Sequence, residues 1–193
     1  TEIYTLSLHD ALPISALSGV IFEDYNKGTL TPGLISKVLA FAHERNIPVF
    51  VDPKFDNFFN FEGATVFKPN KKEAAQAIGF ALKTKEDIAR SGQVLLEKTK
   101  AENILLTLGA DGMMLFERGG KVHSVPTYAR KVSDVSGAGD TAIATLAAMV
   151  AAGGSVAEAA TIANYAAGVV CEQPGIVSIT PKELIESIER GLD

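Results

Sequence analysis

Four short apolar runs, each closed by a polar or glycine-containing turn, constrain this chain more than any other feature. They occupy residues 16–22, 48–52, 64–67 and 103–108. A strand with one face in water alternates polar and apolar residues, whereas a near-continuous apolar run means both faces are covered. Helix-forming stretches lie between the runs. Thr31-Pro32 supplies an N-cap and a proline at the first helical position. The helix that follows is expected to carry Leu34, Val38, Leu39 and Ala42 on one face and to stop near Pro48. A short helix is expected over 71–78 and another after Thr84, with Glu86 and Asp87 in its first turn, where the helix dipole favours acid. Residues 113–116 and 121–125 read as a hairpin around Arg118-Gly119-Gly120. Two apolar helices over 139–152 and 155–171 and an amphipathic helix from Pro181 complete the pattern. Strands alternating with helices imply an α/β fold, a mostly parallel sheet covered on both faces.

The first sixteen residues break this rhythm. Residues 6–14 show no sustained period and look like translated sequencing-adapter read-through; the alternative is a short strand and turn whose partner lies upstream. The expected organisation is a non-native leader over 1–16 and one truncated domain over 17–193. Composition narrows the function. A net charge of −5 argues against a broad nucleic-acid-binding face. One cysteine, Cys171, excludes an internal disulfide and a cysteine-based metal cluster, and reads as a small core residue. The apolar stretch 141–152 is too short to span ~30 Å of hydrocarbon. With no basic, apolar leader in view, a cytoplasmic protein without membrane contact is expected.

The chemistry concentrates in Asp134-Val135-Ser136-Gly137-Ala138-Gly139-Asp140-Thr141, which runs directly into an apolar helix. Two glycines let the backbone turn tightly and approach a ligand. The free N–H groups of the helix start, backed by the helix dipole, suit a phosphate or an anionic transition state. Asp140 stands at the same helix start, in position to take a proton from an incoming hydroxyl. An ordinary glycine turn with a first-turn acid is the competing reading. Neither the third glycine of a dinucleotide fingerprint nor the Gly-Lys-Ser/Thr of a Walker loop follows.

This segment resembles the signature of the PfkB/ribokinase family of carbohydrate kinases. Lys68-Pro69-Asn70-Lys71-Lys72-Glu73, Thr107-Leu108-Gly109-Ala110-Asp111-Gly112 and Ala163-Asn164-Tyr165-Ala166-Ala167-Gly168 fall in that family's order. Asp24-Tyr25-Asn26-Lys27-Gly28 and Val51-Asp52-Pro53-Lys54 are similar to the subgroup that phosphorylates D-glycero-D-manno-heptose 7-phosphate in ADP-heptose synthesis. The resemblance implies a ribokinase-like fold and phosphoryl transfer from ATP to a sugar hydroxyl, with fructose- or ribose-type kinases and a noncatalytic nucleotide-binding module as alternatives. It implies Asp140 as general base and the amides of Gly137, Ala138 and Gly139 as anion hole. Thr107, Gly109, Gly112 and Asn164 fall on its nucleotide side.

The resemblance places Asn70 and Glu73 in the Mg²⁺ and phosphate environment. Without it, the pair reads as an Asn-headed capping box, and both readings can hold together. Asp24, Lys27, Asp52 and Lys54 are candidates for the substrate side. For Lys27, Lys54 and Lys68 a solvated surface position is the competing reading. Asp134 and Ser136 lie where several relatives bind a monovalent cation, but Val135 stands where many carry Thr, so the resemblance leaves that cation open. Implied partners are ATP and a sugar phosphate, a second copy in the full-length parent, and a fused or separate nucleotidyltransferase. The family's early Gly-Gly substrate loop, first strands and β lid have no counterpart here, so weak or absent activity is expected of this chain alone.

Overall fold

The computed structural model describes residues 17–128 and 133–192. The leader expected over 1–16 therefore lies outside the described residues. Among the described residues, six strands form one sheet in the order β1-β2-β3-β4-β5-β6: β1 (Val20–Glu23), β2 (Val49–Asp52), β3 (Val66–Phe67), β4 (Asn103–Thr107), β5 (Met113–Glu117) and β6 (Val122–Val125). The first four run parallel, and β4-β5-β6 turn back as antiparallel hairpins. The strands are shorter than the apolar runs that announced them. β1 begins at Val20, because Leu17 to Gly19 only lead into the sheet.

Six α-helices among the described residues cover the faces: α1 (Pro32–Glu44), α2 (Lys71–Ile78), α3 (Lys85–Thr99), α4 (Ala138–Ala151), α5 (Val156–Cys171) and α6 (Pro181–Leu192). The period of two along each strand sorts its side chains between them. Val49, Val51, Phe67, Ile104 and Leu106 point to one face, where they pack with Ile35, Leu39 and Ala42 of α1 and Leu95 and Leu96 of α3. Phe50, Val66, Leu105 and Leu115 point to the other, against Ala142, Ile143 and Leu146 of α4 and Ala159, Ala160 and Ala163 of α5. Small residues on α4 and α5 bring those helices close to each other and to the sheet. α6 packs on α5.

Local chemistry fixes the helix starts. Thr31 Oγ1 accepts from Leu34 N at 3.3 Å, and Pro32 opens α1 as expected. The buried stripe of α1 is Ile35-Leu39-Ala42, and Leu34 is exposed. The i, i+4, i+7 set turned to the sheet thus starts one residue later than the sequence pattern suggested. Capping boxes open α2, α3 and α5 at Asn70, Thr84 and Ser155. The phenylalanines after β2 divide by position. Phe58 and Phe61 are buried in the α1 side of the core, whereas Phe55 and Phe59 are exposed.

Candidate active site

Parallel strands present their carboxyl ends at one edge, which is where open α/β sheets hold ligands. Here Glu23 and Asp52 close β1 and β2, Lys68 follows β3, and Thr107 closes β4. The start of α4 faces the same edge. Gly137 caps that helix with φ +78, a left-handed conformation that favours glycine. Thr141 N donates the first intrahelical bond, to Gly137 O at 2.9 Å, so the amides of Gly139 and Asp140 stand ahead of the helical ladder. The Ala138 amide points to Val135 O at 3.3 Å.

Two adjoining hollows meet at this helix start. One, of about 270 Å³, is mainly apolar and runs between the β4–β5 turn and helices α4 and α5, past Gly112, Ala142, Asn164 and Cys171. Asn164 Nδ2 donates to Pro126 O at 2.6 Å, which fixes the side chain in its wall. Gly112 has φ +83, and a Cβ there would stand 2.2 Å from Val125 O, so only glycine fits. Cys171 is half-buried in this wall and not a core residue; its thiol is pushed up by burial and by Asp134 and Glu172.

The second hollow, about 820 Å³, is charged and contains Asp52, Lys54, Lys68, Glu73 and Asp140. Lys68 is only 3% exposed and donates to Asp52 Oδ2 at 2.8 Å. Lys54 bridges Asp52 Oδ1 at 3.3 Å and Glu73 Oε1 at 2.7 Å. Burial opposes the Lys54 charge, but the bonds to Glu73 and Asp52 outweigh it and raise its pKa. Thr107 and Gly109 line both hollows, as do Val135 and Gly139.

Asp140 Oδ2 accepts from the Tyr25 hydroxyl at 2.8 Å. Burial pushes the Asp140 carboxyl up, yet its hydrogen bonds to Glu23 and Tyr25, with Lys68 and Lys54 nearby, hold it below the usual value. The hydrogen bond to Asp140 pushes the Tyr25 phenol up to about 12. Glu23, Asp52 and Asp140 bring carboxylate oxygens within 4.8 Å of one another.

The expected site residues are gathered unevenly. Asp140, Gly137, Gly139, Asp52, Lys54, Asn70 and Glu73 border the charged hollow. Ala138, Gly112 and Asn164 border the apolar one. Asn70 and Glu73 also form the capping box: Asn70 Oδ1 accepts from Lys72 N and Glu73 N, and Glu73 Oε2 accepts from Asn70 N, each at 2.9 Å. One Glu73 oxygen thus caps α2 while the other faces the hollow.

Asp24 is buried and committed elsewhere, accepting from Asn26 N at 2.8 Å and Asn57 Nδ2 at 3.1 Å. Its role is to pin the loop after β1. Lys27 lines a separate hollow of about 400 Å³ beside that loop. Lys68 is no surface lysine, because its ammonium is enclosed with Asp52. Asp134 closes the turn before α4: Oδ1 accepts from Ser136 N and Oγ, and Oδ2 from Gly175 N. Glu23 and Tyr25 escaped the sequence reading as site residues. Glu23 had no signal but its position at the carboxyl end of the first strand, and Tyr25 had that and its place in the motif over residues 24–28, which gave it no role of its own.

Comparison with solved structures agrees on the fold. Arabidopsis thaliana ribokinase complexed with ribose and ATP superposes with a TM-score of 0.75 at 22% identity, over 82% of this chain and 53% of that one. Phosphofructokinase-2 from Escherichia coli in complex with potassium gives 0.74 at 17% identity, over 83% and 53%. At higher identity, the bifunctional protein HldE of Geobacter sulfurreducens is 45% identical over 169 residues, 88% of this chain and 34% of that protein. HldE of Nitratiruptor sp. is 43% identical over 173 residues, 90% of this chain and 36% of that protein. The chain spans about a third of the length of these relatives. Residues 18–183 match the pfkB family carbohydrate kinases, and the chain belongs to that family.

Proposed function

We propose that this chain is the nucleotide-binding and catalytic part of a sugar kinase that transfers the γ-phosphoryl group of ATP to a sugar hydroxyl. The observation that carries this reading is the placement of Asp140. It is ionised, stands at the start of α4, and opens onto a charged hollow that adjoins an apolar one. The apolar hollow suits an adenine ring, with Asn164 as a fixed polar group in its wall. The triphosphate then extends past Thr107 and Gly109 toward the amides of Gly139 and Asp140. Phosphoryl transfer needs positioning and charge stabilisation more than covalent help, and free amides at a helix start supply both.

Asp140 takes the proton of the acceptor hydroxyl as the oxygen attacks phosphorus. Its lowered pKa keeps it ionised at neutral pH, ready to accept. Lys68 and Lys54 balance the carboxylates around it and keep positive charge close to the path of the phosphates. Mg²⁺ would be held near Asn70 and Glu73 through its waters, because Asn70 Oδ1 and both Glu73 oxygens already have partners within the chain. It commonly keeps several waters and takes few protein ligands, which agrees with a Glu73 carboxylate that is shared with the α2 cap. When bound, the ion neutralises charge on the transferring phosphates.

Similarity to HldE proteins supports D-glycero-D-manno-heptose 7-phosphate as acceptor, at its anomeric hydroxyl. The word bifunctional in their names supports a nucleotidyltransferase as fused or separate partner. A dimeric full-length parent in the cytoplasm completes the proposal. The chain covers about a third of these relatives, so we expect the 193-residue chain to be weakly active or inactive alone. The test is a substrate panel offered to the full-length parent with Mg²⁺-ATP, including heptose 7-phosphate, fructose 6-phosphate and ribose. Preferential phosphorylation of the heptose at its anomeric oxygen is expected. Transfer to fructose 6-phosphate or ribose instead would reassign the acceptor. ATP binding without transfer to any acceptor would make the chain a nucleotide-binding module.

A further inference from the structure

The carboxyl of Glu23 is placed where it should not be comfortable as an anion. Its Oε1 is buried, and no donor among the described residues reaches it. Asp140 approaches from α4 and Asp52 from the end of β2, with oxygens within 4.8 Å. Lys68, after β3, is the nearby cation, but its ammonium is already bonded to Asp52. Lys54 is shared between Asp52 and Glu73. On its own loop, the Tyr25 hydroxyl already donates its hydrogen bond to Asp140. The acids therefore outnumber the cations, and an orphaned oxygen beside another carboxylate lacks one hydrogen. A carboxylic acid kept neutral so that it can donate a hydrogen bond is a known catalytic device.

We propose that Glu23 is a positioning residue for the base: at and below neutral pH it keeps its own proton and donates a hydrogen bond through it to Asp140, holding that carboxylate ionised and aimed into the charged hollow. This rests on the kinase reading above, in which Asp140 accepts the proton of the sugar hydroxyl. The surroundings agree in direction. Burial first, then the hydrogen bond to Asp140 and the charges of Asp140 and Asp52, push the Glu23 carboxyl up to about 7, against the opposing pull of Lys68. When Glu23 ionises above that pH, a donor becomes a repelling charge. It then pushes on Asp140 and on incoming phosphate alike.

The decisive comparison is Glu23→Gln against Glu23→Ala in the full-length parent, with turnover followed from pH 6 to 9. The amide of Gln keeps a neutral donor and cannot ionise. Turnover by Glu23→Gln is therefore expected to stay within about threefold of the parent at pH 6.5 and to lose the parent's decline above pH 7. Loss of a hydrogen bond to a charged group is worth about tenfold or more, so Glu23→Ala is expected to fall by at least that factor. Substrate phosphates also titrate near pH 6, but equally in all three proteins, so the difference between profiles belongs to Glu23. Carbon-13 NMR titration of the Glu23 carboxyl, in the full-length parent, reads its protonation without any turnover. Titration at an ordinary glutamate pH in an active kinase overturns the inference and leaves the kinase reading intact. So does a decline above pH 7 that persists in Glu23→Gln. A parent that phosphorylates no sugar overturns the kinase reading, and the role of Glu23 falls with it.

Discussion

Glu73 carries two duties on two oxygens, and substitution can separate them. Oε2 closes the α2 capping box and Oε1 holds Lys54. Gln at N3 still accepts from the N-cap amide, so Glu73→Gln is expected to melt near the parent temperature while weakening Mg²⁺-ATP binding. Glu73→Ala loses the cap as well, about 1 kcal/mol, and its melting temperature falls too. Equal melting of the two variants would contradict the division of labour. Glu23 ties the site to stability through protons. Its carboxyl sits near 7 in the fold against 4.5 as the ordinary value, so the folded chain holds a proton that the unfolded chain releases between those pH values. The stability that proton contributes is complete below about pH 4.5 and is lost as pH rises through 7. The Glu23→Gln protein lacks that loss, so the gap between its melting temperature and the parent's widens in its favour from pH 5 to pH 8. A constant gap would contradict the shift. At this scale the sequence was informative where chemistry is local. Asn70-x-x-Glu73 and Thr31-Pro32 could be read from spacing alone. Glu23 and Tyr25 could not, because their meaning comes from Asp140, more than a hundred residues away in the chain.

Helix α4 shows how one element serves fold and site together. Ala142, Ile143 and Leu146 bury it against the sheet, which fixes the direction of its N-terminus, and Gly137 lets the chain enter that helix from the site edge. Both features were legible as an apolar helix behind a glycine turn. The β4–β5 turn is the counterpart across the apolar hollow. There Gly112 is held against Val125 O and the chain before Thr127. Gly112→Ala places a Cβ 2.2 Å from a carbonyl oxygen in a left-handed conformation. Strain and overpacking together are expected to cost about 2 kcal/mol or more, with nucleotide affinity falling as the turn shifts. Calorimetric melting with and without ATP checks both effects; an unchanged melting temperature would contradict the close packing. The length of β3 was less legible. The apolar run 64–67 shortens to Val66–Phe67, because Ala64 and Thr65 spend their backbone and side-chain groups on Glu102 and Val49 at the sheet margin. The face of α1 was misjudged by one residue for a similar reason. Leu34 fits the helical period, but the sheet lies on the side of Ile35.

Across the whole molecule, four parallel strands bring Glu23, Asp52, Lys68 and Thr107 to one edge, and the helix pair α4 and α5 closes the apolar hollow. No helix among the described residues is long and apolar enough to cross a membrane. At the far margin of the sheet, β1 carries an exposed Ile21 on a strand paired only with β2 among the described strands. Such an edge is an aggregation hazard unless another strand covers it. The 193-residue chain is therefore expected to self-associate more than the full-length parent, by light scattering at equal concentration; equal scattering would show that the edge is harmless. One carboxylate, Asp140, is the proton acceptor on which the proposed transfer depends. Replacing Asp140 by Asn in the full-length parent keeps the shape of the site and removes the proton acceptor. A positioned general base contributes about 10²–10⁴-fold, so transfer of labelled γ-phosphate to whichever sugar the parent phosphorylates should fall by that factor with ATP affinity retained. Turnover by Asp140→Asn at the parent rate would contradict the central claim.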